Sequence, residues 1–395
     1  MTDTRAQLFA WLFERTTGEL EGTALLDGLA SRLTAAGFDL HRVSIWIPTK
    51  HPELWGHQLI WAPATGAALV QRLHATSFTT EYVGTTAEAL YMSGALSMRH
   101  RLAADGPPRE FPMLTAMAQA GATDYLLVAL EPGRRFGAWI SFATRRPSGF
   151  DDAQLALLTE ATPLLSLHIQ LLMARFETRS LLDVYLGRNA ARRVIDGEFR
   201  RGTGADLDAA LWFCDMRGFT TMSDRLPARA VVGVLDRYFE HVATPIEAHG
   251  GEILKFIGDA TLAVFPIGDG GATDACRRAL AAALDVLARI EGWTTSEAGR
   301  IQLGVALHTG RVFYGNIGGR ERLDFTVIGS SVNELCRVEA MCKSLGESLL
   351  MTSAFAAALG DESGEVVSLG RHALKGVAQR QEILTTRRRH APISE

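Results

Sequence analysis

Cysteine is scarce in this chain of 395 residues: there are 4, at Cys214, Cys276, Cys336 and Cys342, all in the second half and none in a Cys-x-x-Cys pair. A disulfide framework and a zinc ribbon are therefore unsupported, and the four read as reduced core thiols. Also missing is an excess of charge of either sign, since 40 Lys+Arg stand against 44 Asp+Glu for a net charge of −4. That balance gives no global attraction to nucleic acid or to an anionic membrane, so a phosphate-bearing ligand has to be held by local groups. No span of about 20 uninterrupted apolar residues occurs; the most lipophilic stretch, 164–173, carries His168 and Gln170. The N-terminal segment mixes acidic with apolar side chains, unlike a secretory leader, so a cytoplasmic location without a membrane span is expected. What is present is ordinary globular composition, 47% hydrophobic and 21% charged. It excludes wholesale disorder and, at this length, suggests two or three domains.

The N-terminal region alternates helical and strand-like stretches and holds five of the seven tryptophans, Trp11, Trp46, Trp55, Trp61 and Trp139. Leu25, Leu26, Leu29 and Leu33 recur at helical spacing and lead through Gly37 into an alternating run at 41–47. Strand-like runs at 124–130 and 136–144 flank a turn composition, Glu131-Pro132-Gly133-Arg134-Arg135. A helix is expected to begin at Gly149-Phe150-Asp151-Asp152 with an aspartate as cap, and to run through Leu155, Leu158, Leu165 and Leu172. This order resembles a GAF domain, a small-molecule sensor with an antiparallel sheet between helices, over roughly residues 15–175. The tryptophans and His41, His51, His57, His74 and His100 admit two readings, a ligand, haem or metal pocket on one side and ordinary core and surface residues on the other. Residues 176–204 read as a helical connector broken at Gly187 and closed by Gly197, Gly202 and Gly204, with arginines interspersed with acids as on a solvated face or dimer seam.

Three segments of the C-terminal half carry chemistry. The apolar run at 209–216 reaches Asp215, then a turn with Gly218 and a helical pattern; a carboxylate there suits a divalent metal with a polyphosphate, or simply a helix cap. At 250–265 two alternating apolar runs flank Gly258-Asp259, a hairpin composition that puts Asp259 at or next to the tip. Lys255 interrupts the first of these runs, either as a snorkelling edge residue or as part of a site. At 322–341 a strand through Phe325 and Val327 turns at Gly329 into a helix on which Asn333 and Arg337 share a face at i,i+4. An amide beside a guanidinium can bind a ribose oxygen and a phosphorus transition state, or form a surface hydrogen bond.

Together FCDMRGFT, EILKFIGDA and DFTVIGSSVNELCR closely resemble the catalytic domain of class III nucleotidyl cyclases, over about residues 205–385. The resemblance implies a ferredoxin-like α/β (α+β) catalytic domain at 205–386, preceded by a GAF-like antiparallel-sheet α/β domain at 1–150 and a helical connector at 151–204, and followed by a basic tail at 387–395. It implies Asp215 and Asp259 as ligands of two Mg²⁺ or Mn²⁺ ions per site, Asn333 as orienting the ribose, Arg337 as stabilising the α-phosphate, and a head-to-tail homodimer with sites at the interface. Lys255 and Thr326 would read the base and favour ATP over GTP, since a lysine donates to an adenine ring nitrogen that is protonated in guanine. Gly218, Phe219, Thr220, Arg322 and Lys375 are candidate phosphate contacts. Thr326 also resembles the subclass that includes bicarbonate-responsive enzymes. The expected activity is adenylyl cyclase under an N-terminal sensor that could hold a small molecule; a catalytically silent nucleotide-binding module, or a cyclase for another base such as GTP, are the alternatives.

Overall fold

The computed structural model describes residues 2–14, 21–74, 84–102, 110–131, 137–360, 366–374 and 379–386, and the chain divides into two compact units, Met1–Val184 and Tyr185–Glu395. The turn at 132–135, Lys375 and the tail at 387–395 lie outside the described residues.

The first unit runs α1 (Thr2–Glu14), α2 (Gly22–Ala35), β1 (Leu40–Pro48), β2 (Leu54–Ala62), β3 (Gly66–Leu73), α3 (Thr86–Ser93), β4 (Ser97–Arg101), α4 (Pro112–Gln119), β5 (Asp124–Ala129), β6 (Trp139–Thr144) and α5 (Asp152–Leu186). Its sheet has the order β3-β2-β1-β6-β5-β4, antiparallel at every pairing. Alternation along β1 sends Val43, Ile45 and Ile47 into one core with Leu25, Leu29 and Leu33 of α2 and Leu158, Leu165 and Ile169 of α5. A second, smaller core joins Leu90 of α3 and Leu114 and Met117 of α4 to Tyr125 and Leu127 of β5. Helices thus cover both faces of the sheet.

The start of α5 is fixed twice over. Asp151 Oδ1 accepts from Gln154 N (2.9 Å) while Gln154 Oε1 accepts from Asp151 N (3.3 Å), a reciprocal cap. Immediately upstream, the fully buried Asp124 accepts from Arg99 Nη2 (2.6 Å) and from Phe150 N (3.0 Å), and Arg99 also donates to Phe150 O (2.7 Å). Gly149 is at φ +67, and a Cβ there would strike Arg101 and Asp124, so the glycine is required for this clamp. By length and composition α5 could cross a membrane, yet its stripe Leu158, Ala161, Leu165, Ile169, Leu172 and Met173 is packed in the core. The helix ends at Gly187, at φ +83. Within the segment 151–204, α5 up to Val184 belongs to the first unit, whereas α6 (Arg188–Ile195) gives Ala190 to a core of the second.

Four of the first unit's histidines have contacts within it. His51 Nδ1 accepts from Glu53 N and Leu54 N, its carbonyl meets His74 Nε2, His41 Nδ1 accepts from Arg145, and His57 packs on Phe176. No group of three or more His, Cys, Asp or Glu suited to a metal occurs among the described residues.

The second unit continues with β7 (Gly204–Met216), α7 (Phe219–Arg225), α8 (Ala228–Ala248), β8 (Glu252–Ile257), β9 (Ala260–Pro266), α9 (Gly271–Ile290), the short ribbon β10 (Thr294–Thr295) and β11 (Gly299–Arg300), β12 (Leu303–Gly318), β13 (Leu323–Ile328), α10 (Ser330–Leu345), β14 (Leu349–Thr352), α11 (Ser353–Ala358), β15 (Val366–His372) and β16 (Gln381–Thr386). The sheet order is β15-β16-β14-β12-β7-β9-β8, with β13 paired to the far half of β12. Its centre, β12-β7-β9-β8 with α8 and α9 as crossovers, is the ferredoxin-like β-α-β-β-α-β arrangement in the order 4-1-3-2. Along β7 the alternation is strict: Ala210, Trp212 and Cys214 enter the core with α8 and α9, whereas Ala209 and Leu211 enter the core with α10. The cysteines are free thiols; burial pushes Cys214 and Cys342 up to about 12 and Cys276 to about 11. These three are inert side chains of the core, whereas the expected core position of Cys336 is only partly buried.

Removing the Asp124 carboxylate leaves Arg99 without its counter-charge and the Phe150 amide without its acceptor. Asp124→Ala is expected to destabilise the first unit by about 3 kcal/mol, read as a fall in its unfolding midpoint by calorimetry of the full chain.

Candidate active site

Asp215 is the penultimate residue of β7, opposite Gly304 in the β12 register. As an odd-numbered position of that strand it lies on the α10 side of the sheet. The chain then turns through Gly218, at φ +72, into α7. Asp259 occupies the two-residue loop Gly258-Asp259 between β8 and β9, with Gly258 at φ +64. Because β9 pairs with β7 up to Cys214 and Thr261, the strand end and the hairpin tip meet. The two carboxylates are in hydrogen-bond contact: burial, then the hydrogen bond and charge of Asp215, push Asp259 up to about 7, against backbone N–H groups including that of Met216. Two carboxylates that compete for one proton form a hard oxygen donor pair, and that chemistry fits a divalent cation whose other ligands are phosphate and water.

Beneath this pair lies an ion pair that sequence reasoning missed. Arg217 Nη2 donates to Glu339 Oε1 (2.6 Å) and to Glu339 O (3.4 Å), tying the turn after β7 to α10. Both side chains are largely buried, at 15% and 6% exposed, so removing either partner strands the other charge. Burial raises Glu339 to about 7; Arg217 opposes the shift, and Asp215 and Asp259 add to it. A Cβ on Gly304 would sit 1.9 Å from Arg217 Nη2, so the glycine opposite Asp215 makes room for the guanidinium. An Arg two residues beyond Asp215 and a Glu two beyond Arg337 are the faint sequence signals of this staple.

Lys255 stands on β8, just past an irregularity in its pairing with β9, and its Nζ donates to Asp324 Oδ2 at 2.5 Å. Asp324 is held below the usual carboxylate range, chiefly by that hydrogen bond. On β13, Phe325 and Val327 are buried, so Asp324 and Thr326 share the opposite face. Lys255, Asp324 and Thr326 therefore belong to one group. Asp324 was legible only as the residue two before Thr326 on the same strand.

Asn333 and Arg337 lie one turn apart on α10, Asn333 exposed and Arg337 partly so. Neither side chain has a hydrogen bond or ion pair among the described residues. No such bond joins the Asp215–Asp259 pair, the Lys255–Asp324 pair and the Asn333–Arg337 face to one another among those residues. Gly218 and Thr220 are exposed at the start of α7, whereas the Phe219 side chain packs on the core and leaves only its backbone available. Arg322 is exposed at the β12–β13 turn.

These shifts fix a pH dependence. A carboxyl whose folded pKa is raised stabilises the fold while protonated, and that contribution is lost as pH rises through the folded value. For Asp259 and Glu339 the loss falls around pH 7. Metal-free protein should therefore melt at a lower temperature at pH 8 than at pH 6, and Mg²⁺ or Mn²⁺ should restore the midpoint at pH 8. Asp215→Asn should shrink the Asp259 share of the slope to the part due to burial and trim that of Glu339.

With this geometry in hand, likeness to other proteins becomes informative. The family described as "Adenylate and Guanylate cyclase catalytic domain" matches residues 206–386. An uncharacterized protein of Mycobacterium tuberculosis is 32% identical over 219 residues, 55% of this chain and 38% of the relative. A protein of Anabaena cylindrica named adenylate cyclase is 35% identical over 156 residues, 38% of this chain and 30% of that one. The chain thus spans about a third of the length of these relatives. Among solved structures, a bacterial light-regulated adenylyl cyclase aligns with a TM-score of 0.50 and 19% identity, covering 64% of this chain and 83% of the other; at that identity the likeness is one of fold. The match falls on the unit in which the β7 end, the β8–β9 hairpin and α10 assemble the acidic pair and its neighbours, and residues 206–386 of this chain belong to the class III nucleotidyl cyclase catalytic-domain family.

Proposed function

We propose that the chain is an adenylyl cyclase that converts ATP to 3′,5′-cyclic AMP and pyrophosphate. The observation that carries this reading is the Asp215–Asp259 carboxylate pair at the junction of β7 with the β8–β9 hairpin. Those two side chains would hold Mg²⁺ or Mn²⁺, two ions per site, which when bound supply Lewis-acid activation of the ribose 3′-hydroxyl and neutralise polyphosphate charge. In the reaction the 3′-oxygen forms a bond to the α-phosphorus, the bond from that phosphorus to the bridging oxygen breaks, and pyrophosphate leaves. The hydroxyl proton goes to solvent, and no dedicated side-chain base is required. Arg337 would stabilise the charge growing on the α-phosphate, and Asn333 would orient the ribose. Backbone groups at Gly218, Phe219 and Thr220, with Arg322, would meet the polyphosphate.

Lys255 supports adenine as the base, and Thr326 on the neighbouring strand offers a hydroxyl to the exocyclic amine. Asp324 orients the Lys255 ammonium. A guanylyl cyclase is the second reading, and one observation favours it: Asp324 is itself an acceptor that suits the N–H edge of guanine. Incubating the chain with each nucleoside triphosphate and Mg²⁺ or Mn²⁺, with products identified by mass spectrometry, should give cyclic AMP with kcat/KM for ATP at least about tenfold above GTP. Asp215→Ala and Asp259→Ala should each lower that rate by roughly a hundredfold or more with the melting profile retained. A cyclic GMP product transfers the reading to guanine, and no product from any triphosphate leaves a silent nucleotide-binding module.

Three features support a homodimer with shared sites. Asn333 and Arg337 have no intrachain partner among the described residues. Phe256, Ile257 and Ile328 are 47%, 50% and 52% exposed beside Lys255, Asp259 and Thr326, an apolar rim on the sheet-edge strand β8 and on β13. On α5, Leu167, Leu171, Ala174, Thr178 and Leu181 recur at three- and four-residue spacing, and Leu167 is 57% exposed, a seam suited to a second copy of the helix. If sites are shared, two inactive variants complement each other. Mixing Asp215→Ala with Arg337→Ala after subunit exchange should restore roughly a quarter of wild-type activity, since half the dimers are mixed and each has one intact site. Sites confined to one chain would give no recovery.

The first unit, with its β3-β2-β1-β6-β5-β4 sheet between helices, supports the reading of a GAF-like sensor that regulates the cyclase.

A further inference from the structure

The face of the first unit's sheet that lies toward α3 and α4 carries a belt of polar groups with no role in cyclisation. It begins on β3 with Arg72, whose Nε and Nη2 donate to Gln58 Oε1 at 3.2 and 2.8 Å. Gln58 Nε2 donates in turn to Ser44 Oγ at 3.0 Å. Across β1 and β6, Ser44 stands opposite Ser141, and the next row holds Arg42, Ala143 and Tyr125 on β1, β6 and β5. Thr86, at the start of α3, lies 3.3 Å from the Tyr125 hydroxyl. Ser44, Thr86, Tyr125 and Ser141 are buried. A sheet face beneath helices is ordinarily apolar, so five strands and a helix contributing polar atoms to one band need a reason.

Arg42 supplies it. Its guanidinium is half-buried, its Nε is buried with no hydrogen-bond partner among the described residues, and no carboxylate among those residues forms an ion pair with it. The titratable groups near it are Tyr125, a phenol that burial keeps protonated, and a second cation, Arg72. Burial works against the Arg42 charge, Tyr125 opposes that effect and Arg72 adds to it. A guanidinium nitrogen withdrawn from water without a partner is costly. The planar fork of the group is shaped for the paired oxygens of a phosphate or carboxylate. Between Arg42 and Tyr125 the intervening residue is Ala143, buried at the edge of the smaller core, so Arg42 is the charged member of that row.

We propose that this face of the first unit binds a small organic anion, a phosphate or a carboxylate, with Arg42 as its counter-charge and the hydroxyls of the belt as neutral partners. The inference stands apart from the cyclase reading, since none of these residues belongs to the second unit.

Equilibrium dialysis of the full chain against labelled inorganic phosphate, and separately against labelled citrate, at fixed ionic strength in chloride, tests it. One saturable site per chain is expected for one of the two anions, and the arm that binds names the class. Asp215→Ala, which disables the acidic pair of the second unit, should retain that site, whereas Arg42→Gln should weaken it at least tenfold. The anion should also raise the thermal midpoint of wild type and not of Arg42→Gln. Without anion, Arg42→Gln should melt no lower than wild type, because the substitution removes an unpaired charge. Saturation by neither anion, equal binding by Arg42→Gln, or a midpoint several degrees lower in anion-free Arg42→Gln would each overturn the proposal.

Discussion

Two carboxylates held within hydrogen-bond contact repel whenever both ionise, and the second unit is organised around sustaining that contact between Asp215 and Asp259. The sheet does the holding. Register between β7 and β9 is fixed by side chains that alternate between two separate cores, so a one-residue slip would drive Trp212 and Cys214 into the core shared with α10 and turn Asp215 away. The two-residue β8–β9 loop then leaves the hairpin tip no freedom to carry Asp259 out of reach. The proposed cation site is in this way stored as electrostatic tension in the fold.

The remaining charges are arranged about that tension in pairs. Arg217–Glu339 fastens the turn after β7 to the helix bearing Asn333 and Arg337, and Lys255–Asp324 joins the hairpin to β13. Each pair links segments distant in sequence, so positions that read as separate motifs become parts of a single framework. A net charge of −4 says nothing of this; the charges that matter are matched locally and leave the acidic pair unmatched.

The first unit follows the same logic with opposite sign. Asp124 is buried and fully partnered by Arg99 and the Phe150 amide, and it settles where α5 begins. Arg42 is half-buried, and its Nε has no hydrogen-bond partner among the described residues. Physical chemistry treats the two alike, since a charge withdrawn from water needs a counter-charge; in one case the chain supplies it.

Much was legible from the sequence because it depends on local periodicity and turn chemistry. The helix at Leu25–Leu33, the capped start of α5, its end at Gly187, the strand reaching Asp215, the Gly258-Asp259 hairpin and the α10 face with Asn333 and Arg337 all follow from spacings of two, three or four residues and from glycines at positive φ. What only the tertiary structure decided is which charges meet. Asp324 was one acid among 44 until β13 was laid beside β8, and Arg217 and Glu339 are 122 residues apart in the chain. The belt around Arg42 draws on six segments from Arg42 to Ser141. Periodicity assigns a residue to a face, but electrostatic partnership is a matter of distance in space, and that is set by sheet order and register.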